Sequence, residues 1–358
     1  MRLSDLLRLR PVPGAGLLLT LTRRCPLSCA HCSTASTMSG EEPDGGHLLR
    51  FVGSFGAADR PEVLLLTGGE PLLRPELTTA LAVAARAAGT RSALLSGMFF
   101  ARSGRVPGRI MRAVTAVDHF SASLDAHHER EVPRADVLRA VREIRDAGVP
   151  VSFHLTGSGP GDPYLAEVTA EIRREFADRV PMLVTAVRPL GRAAAWAGAA
   201  RVLPDGDRPL PCALAAWPVV AFDGTVLACC NQRAVDARPA PAHLRLGHIA
   251  EDGWPAVRRR SGASPVLRMV RAAGPVHLYA RHGDGGAGGE GGYCASCHRL
   301  ERHPGVLAGA ARDGAGPVGE LLDAEAARRQ TAAGPVALVR RHGCAPYADL
   351  VALDGDPR

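Results

Sequence analysis

The run Arg24-Cys25-Pro26-Leu27-Ser28-Cys29-Ala30-His31-Cys32 follows an apolar segment at 17–21 that reads as a strand. Its cysteines are spaced CxxxCxxC, three thiols within eight residues of one loop. A four-iron cube normally takes four cysteine ligands, so three leave one iron with an open position. An open iron can bind a substrate or cofactor, which makes the loop a place for chemistry rather than a brace. The spacing alone also fits a zinc site completed by a distant ligand, or three unrelated thiols.

A second segment, from Val63 to Pro71, is an apolar strand that runs into Gly68, Gly69, Glu70 and Pro71, with Gly68 36 positions after Cys32. Glycines at the carboxyl end of a strand let another molecule approach the backbone closely. Open backbone groups beside a carboxylate suit a protonated amine. The two motifs, in this order and at this distance, resemble the signature of the radical S-adenosylmethionine (radical SAM) enzymes. The resemblance implies a [4Fe–4S] cluster on Cys25, Cys29 and Cys32, whose open iron chelates the amino and carboxylate groups of SAM. It also implies that Gly68, Gly69, Glu70 and Pro71 grip the SAM amino group.

Around these motifs the chain alternates. Apolar runs at 17–21, 63–66, 92–95, 119–124, 151–155 and 182–187 read as six buried strands. Helical patterns at 47–55, 76–88, 109–114, 135–147 and 164–176 lie between them, several ending at a stop such as Ala88-Gly89 or Ala147-Gly148. Such alternation makes an α/β fold: a parallel sheet with helices outside and a site at the strands' carboxyl ends. Six units match the partial (β/α)6 TIM-like barrel of the radical SAM family.

Ser121-Ala-Ser-Leu-Asp125 at the end of the fourth strand resembles the Ser-Leu-Asp run of many family members, which places Ser123 and Asp125 toward the SAM ribose or the substrate. Asp125 is equally suited to capping a helix. His31 stands where the family usually has an aromatic residue, beside the adenine or covering the cluster. The family's Thr-Asn-Gly after the third strand is replaced here by Leu95-Ser-Gly-Met98, which leaves one wall of the pocket undefined.

Beyond Leu190 the character changes. Cys212 is followed by eleven residues, Gly224, four more and Cys229, with apolar runs at 217–222 and 225–228 flanking Asp223-Gly224, a hairpin turn pair. A Gly-rich linker at 283–292 precedes Cys294-Ala-Ser-Cys297. Two cysteines from the hairpin and two from the CxxC fit either a tetrahedral zinc or a fully ligated four-iron cluster. The pattern resembles the twitch module, a shortened SPASM extension that holds one auxiliary [4Fe–4S] cluster. Cys230 is then a spare thiol in the neighbourhood, and Cys344 a late ligand or a free thiol. The expected organisation is a radical SAM core at 1–195, a β-hairpin-containing SPASM/twitch module at 196–300 and a C-terminal extension at 301–358.

Composition narrows the partners. The formal charge is +7 and every one of the 43 bases is Arg, yet no Arg-rich run interleaves with aromatics, which make up only 4%. Nucleic acid is therefore not an expected partner. No apolar run reaches transmembrane length and the N-terminus does not read as a signal peptide. Nine cysteines without a secretory signal point to metal ligation in a reducing cytoplasm. The resemblance implies an enzyme that cleaves SAM reductively and abstracts hydrogen from a small-molecule or peptide substrate, fed by a donor such as flavodoxin or ferredoxin. The expected outcome is a net oxidation in natural-product or peptide maturation. The competing class is a noncatalytic iron–sulfur or zinc protein for electron transfer or scaffolding, which would have no use for the Gly68–Pro71 segment.

Overall fold

Apolar runs separated by amphipathic helices become the strands of one sheet. The computed structural model describes residues 1–198, 210–283 and 292–353. A short helix α1 (Leu3–Leu9) precedes β1 (Gly16–Thr20); α2 (Gly45–Gly53), β2 (Val63–Thr67), α3 (Pro75–Ala87), β3 (Arg91–Ser96), α4 (Gly108–Ala116), β4 (His119–Leu124), α5 (Arg134–Asp146), β5 (Val151–Gly157), α6 (Pro163–Phe176) and β6 (Met182–Ala186) then alternate. Each strand from β1 to β6 pairs in parallel with the next, a partial TIM-like α/β barrel. Leu17, Leu19, Leu64, Leu66, Phe120 and Phe153 are fully buried in it. All six strands and the five helices between them stand where hydrophobic periodicity places them.

After the barrel come β7 (Val219–Val220), β8 (Thr225–Leu227), α7 (Gln232–Asp236), β9 (Arg245–His248), α8 (Trp254–Ala263), α9 (Pro265–Ala272), α10 (Pro275–His282), α11 (Tyr293–Arg299), α12 (Pro304–Asp313) and α13 (Gly316–His342). Helices α7 to α12 are only five to ten residues long, shorter than the window over which periodicity becomes legible. The β7–β8 hairpin forms at Asp223-Gly224 as expected. It also continues the barrel sheet, because β7 pairs in parallel with β1. The sheet order is β6-β5-β4-β3-β2-β1-β7-β8-β9. Since β7 runs with β1 and β8 against it, Cys212 before β7 and Cys229 after β8 both fall at the amino end of the barrel. The Cys25–Cys32 loop follows β1 at the carboxyl end. One strand of five residues, about 16 Å at ~3.3 Å per residue, separates the two ends. The Gly-rich linker read at 283–292 lies almost wholly outside the described residues.

The chain's last segment is fastened to the barrel. Helix α13 packs on α9 and α1, and the 3₁₀ segment Ala345–Ala352 lies against β6. The Cys344 N–H donates to Val184 O at 2.9 Å, so the tail meets β6 at the edge of the sheet, where an open strand would otherwise invite pairing. Between α9 and α13, Arg271 makes a bidentate ion pair with Asp323 (2.8 and 2.6 Å), its side chain only 3% exposed. Among the described residues no helix is long and apolar enough to cross a membrane.

Removing one partner of a buried pair strands the other charge, at a cost of about 3–5 kcal/mol. Asp323→Ala should lower the stability of the chain by about that much, and the double change Asp323→Ala with Arg271→Met should recover most of it in chemical denaturation.

His119 on β4 is buried at the amino end of the barrel, its Nδ1 3.0 Å from Met1 O and its Nε2 2.8 Å from Ser152 Oγ. Burial pushes its pKa down to about 4. The unfolded chain binds the proton near pH 6.5 and the folded chain does not, so stability falls as pH drops from about 6.5 to about 4, by about 3 kcal/mol. Denaturation at pH 7 and pH 4 should show the wild type losing about that much more than His119→Gln.

Candidate active site

The cysteine loop is built from its own backbone bonds. Cys25 N–H donates to Thr37 O (3.1 Å) and Cys32 N–H to Cys29 O (3.1 Å), curling the three cysteines into one turn beyond β1. Burial pushes the Cys25 thiol up to about 12, with the charges of Glu70, Cys29 and Cys32 adding to it. At Cys32 burial acts in the same sense, but it is outweighed by Thr34 Oγ1 (3.2 Å), backbone N–H groups and the Arg192 charge, which together bring the thiol below its ordinary value.

The Gly-Gly-Glu-Pro segment meets this loop directly. Gly69 N–H donates to Thr22 O (2.6 Å) and Glu70 N–H to Arg24 O (2.8 Å). A Cβ on Gly68, whose φ is +146°, would lie 2.4 Å from Thr22 O, and one on Gly69 equally close to Arg24 O. The close neighbour these glycines admit is therefore the chain's own cysteine loop. Pro71 opens a buried 3₁₀ turn, Pro71–Leu73.

Glu70 is completely buried. Its carboxylate accepts from Leu72 N–H (3.0 Å), Ser96 Oγ (3.1 Å to both oxygens) and Gly97 N–H (2.8 Å). Burial raises its pKa to about 7 in spite of those donors. The pocket wall that the Ser96-Gly97-Met98 sequence left undefined is thus closed by Glu70 itself, with Met98 fully buried behind it in a left-handed conformation (φ +62°).

Asp125 gathers the next group. Its Oδ1 accepts from the N–H groups of His127 (2.8 Å) and His128 (3.0 Å), which caps the turn after β4. Its Oδ2 meets His31 Nε2 at 3.1 Å and His128 Nδ1. The two histidines outweigh burial and hold Asp125 well below the usual carboxylate range. Burial opposes charge on His128, but the bond to Asp125 and the neighbouring Cys29 raise its pKa to about 10. His31 stacks on His127 (5.0 Å), which lies 5.4 Å from the Trp196 ring, so His127 stands between the other two rings. Ser123 is half-buried on β4, paired in register with His154 of β5. His127, His128, His154 and Arg192 were not among the residues singled out from the sequence. The His127-His128 pair directly after Asp125 was the available signal.

Cys212, Cys229, Cys294 and Cys297, joined by Cys230, lie near enough for the charge of one to act on another. Burial raises Cys212 to about 11 and drives Cys229 and Cys297 well up, each reinforced by other thiols of the set. Arg10 Nη2 lies 3.2 Å from Cys230 Sγ. Cys344 is buried under the tail, with Asp162 the charge that acts on it, and joins neither set. Among the described residues, His31, Asp125 and His128 are the only three metal-binding side chains whose donor atoms all lie within 4.8 Å of one another.

Residues 19–171 match the Radical SAM superfamily, and that match supports a [4Fe–4S] cluster and SAM as cofactors. Two curated relatives align over about half of the chain. One is the PqqA peptide cyclase of Granulibacter bethesdensis, 25% identical over 190 residues, covering 50% of this chain and 45% of that protein. The other is the pre-heme d1 synthase of Dinoroseobacter shibae, 32% identical over 169 residues, covering 44% and 40%. The chain thus spans less than half the length of either. In fold it is similar to Streptococcus suis SuiB bound to its precursor peptide SuiA, with a TM-score of 0.50 and 10% identity over 69% of this chain and 65% of that one.

Glu70→Gln leaves the shape intact but turns an amide N–H against one of the backbone N–H groups that now donate to the carboxylate. An unpaired buried donor costs about 1–3 kcal/mol. Denaturation of the variant should show a loss in that range, with iron uptake unchanged.

Proposed function

We propose that this chain is a two-cluster radical SAM enzyme that oxidises a precursor in peptide or cofactor maturation. The observation that carries the reading is the presence of two separate cysteine sets, one in the loop after β1 and one gathered around the β7–β8 hairpin. Cys25, Cys29 and Cys32 would hold the SAM-binding cluster and leave one iron for SAM. Cys212, Cys229, Cys294 and Cys297 would hold a fully ligated auxiliary cluster. Bound together, cluster and SAM supply one-electron cleavage of the sulfonium and hydrogen abstraction by the 5′-deoxyadenosyl fragment, and an auxiliary cluster supplies an electron acceptor.

The chain's own part is orientation and exclusion of water. The Gly68–Pro71 segment sits against the cysteine loop, where its backbone, that of Glu70 included, would meet the SAM amino group, while the Glu70 carboxylate is taken up by Leu72, Ser96 and Gly97. Ser123, half-buried on β4, and Asp125, held by His31 and His128, would face the SAM ribose or the substrate. His31, His127 and Trp196 cover the loop from outside. Peptide chemistry is supported by the names of the relatives, a peptide cyclase and an enzyme bound to a precursor peptide; the pre-heme d1 synthase supports a cofactor precursor as the second reading. A cytoplasmic location and a flavodoxin- or ferredoxin-type donor belong to the same proposal.

The test needs no substrate. After anaerobic reconstitution the chain should hold about eight iron and eight sulfide. Changing Cys25, Cys29 and Cys32 to Ala should remove about half the iron and abolish release of 5′-deoxyadenosine from SAM under dithionite. Changing the four auxiliary cysteines should also remove about half the iron but spare that release. Stoichiometric zinc with about four iron, or unchanged SAM cleavage in the triple variant, would refute the proposal.

A further inference from the structure

The 3₁₀ turn after β6, Gly191–Ala195, lies directly on the cysteine loop. At Gly191 (φ +53°) a Cβ would stand 2.3 Å from Cys32 O and 2.4 Å from Ser33 O, so only glycine lets the two backbones meet. The Arg192 N–H donates to Cys32 O (2.9 Å), its Nε to Cys29 O (2.8 Å) and its Nη1 to Ser36 O (2.6 Å). Trp196 Nε1 adds a bond to Ala30 O at 3.0 Å. One short segment thus holds four carbonyls of the loop that carries Cys25, Cys29 and Cys32.

The charge of Arg192 is left over. Its Nη2 is buried without a hydrogen-bond partner, and among the described residues no carboxylate pairs with it. Its field reaches Cys32. A half-buried guanidinium whose donors serve only neutral carbonyls is a fixed positive charge with no anion to offset it.

We propose that Arg192 is a positioning residue for the cluster loop and that its uncompensated charge favours the reduced cluster. This rests on the assignment of Cys25, Cys29 and Cys32 as cluster ligands. A thiolate-ligated cluster gains negative charge on reduction, and a fixed cation nearby stabilises that state and makes the potential less negative. Arg suits the task better than Lys because its planar fork reaches the carbonyls of Cys29 and Ser36 at once.

The experiment is a dye-mediated redox titration of the anaerobically reconstituted full chain, following the cluster whose electron paramagnetic resonance signal responds to added SAM. Arg192→Gln should retain iron and move that midpoint to a more negative potential, while Arg192→Lys brings it back toward the wild-type value. A Gln variant with full iron and the wild-type midpoint overturns the inference, as does a Lys variant indistinguishable from Gln. If Gln does not load iron, Lys decides: loading with a near-wild-type midpoint supports the charge role, and failure to load overturns it. A wild-type chain with no SAM-responsive cluster would overturn the ligand assignment and this inference together, which separates that failure from a failure at Arg192 alone.

Discussion

A single buried carboxylate, Glu70, fastens the carboxyl ends of three neighbouring strands. Its backbone reaches back to the loop after β1, where Glu70 N–H meets Arg24 O, and its side chain reaches across to Ser96 and Gly97 at the end of β3. Ionised carboxylates are costly to bury, and the three donors here reduce that cost without cancelling it, since the pKa still stands near 7. The donors cannot be given up without exposing the loss. The rim of the barrel therefore has little freedom where the cysteine loop, the Gly68–Pro71 segment and the β3 end converge.

A second constraint follows from strand direction. Because β7 is parallel to β1, the hairpin has to deliver its flanking cysteines to the end of the barrel opposite the Cys25–Cys32 loop. The C-terminal part is a continuation of the same sheet, and Arg23 strengthens the join. That residue, two before Cys25, pairs with Asp236 of α7 at 3.1 Å and lies 5.3 Å above the Phe222 ring beside the hairpin. On the far edge of the sheet, α13 and the Ala345–Ala352 segment lie along β6. Both edges of the barrel are thereby covered by chain that the six βα units do not supply.

Around Asp125 the protein has concentrated nitrogen. One carboxylate takes two backbone N–H groups and two histidines, all its acceptor directions in use, in a place that is almost wholly buried. Such a node is rigid because losing any member leaves a buried polar group unpaired. It ties the turn after β4 to the cysteine loop through His31, and so sets the wall that faces whatever occupies the barrel mouth.

The barrel was legible in the chain itself because each strand is an apolar run and each intervening helix is long enough to show its period. Cys25, Cys29 and Cys32 were legible because their ligand spacing lies within eight residues, and Gly68–Pro71 because the segment is contiguous. The hairpin could be read from Asp223-Gly224. Its attachment to β1 could not, since pairing between segments 200 residues apart leaves no local mark. The same holds for Glu70, which reads as a free carboxylate in sequence and becomes a buried tie only when β3 is folded beside it. Arg192 lies 160 positions from Cys32 and meets it only because β6 ends beside that loop, and His128 gains its partner only when the turn after β4 closes over Asp125. Local pattern determined the elements and the cysteine spacing; long-range backbone contact decided how the loop that carries Cys25, Cys29 and Cys32 is held.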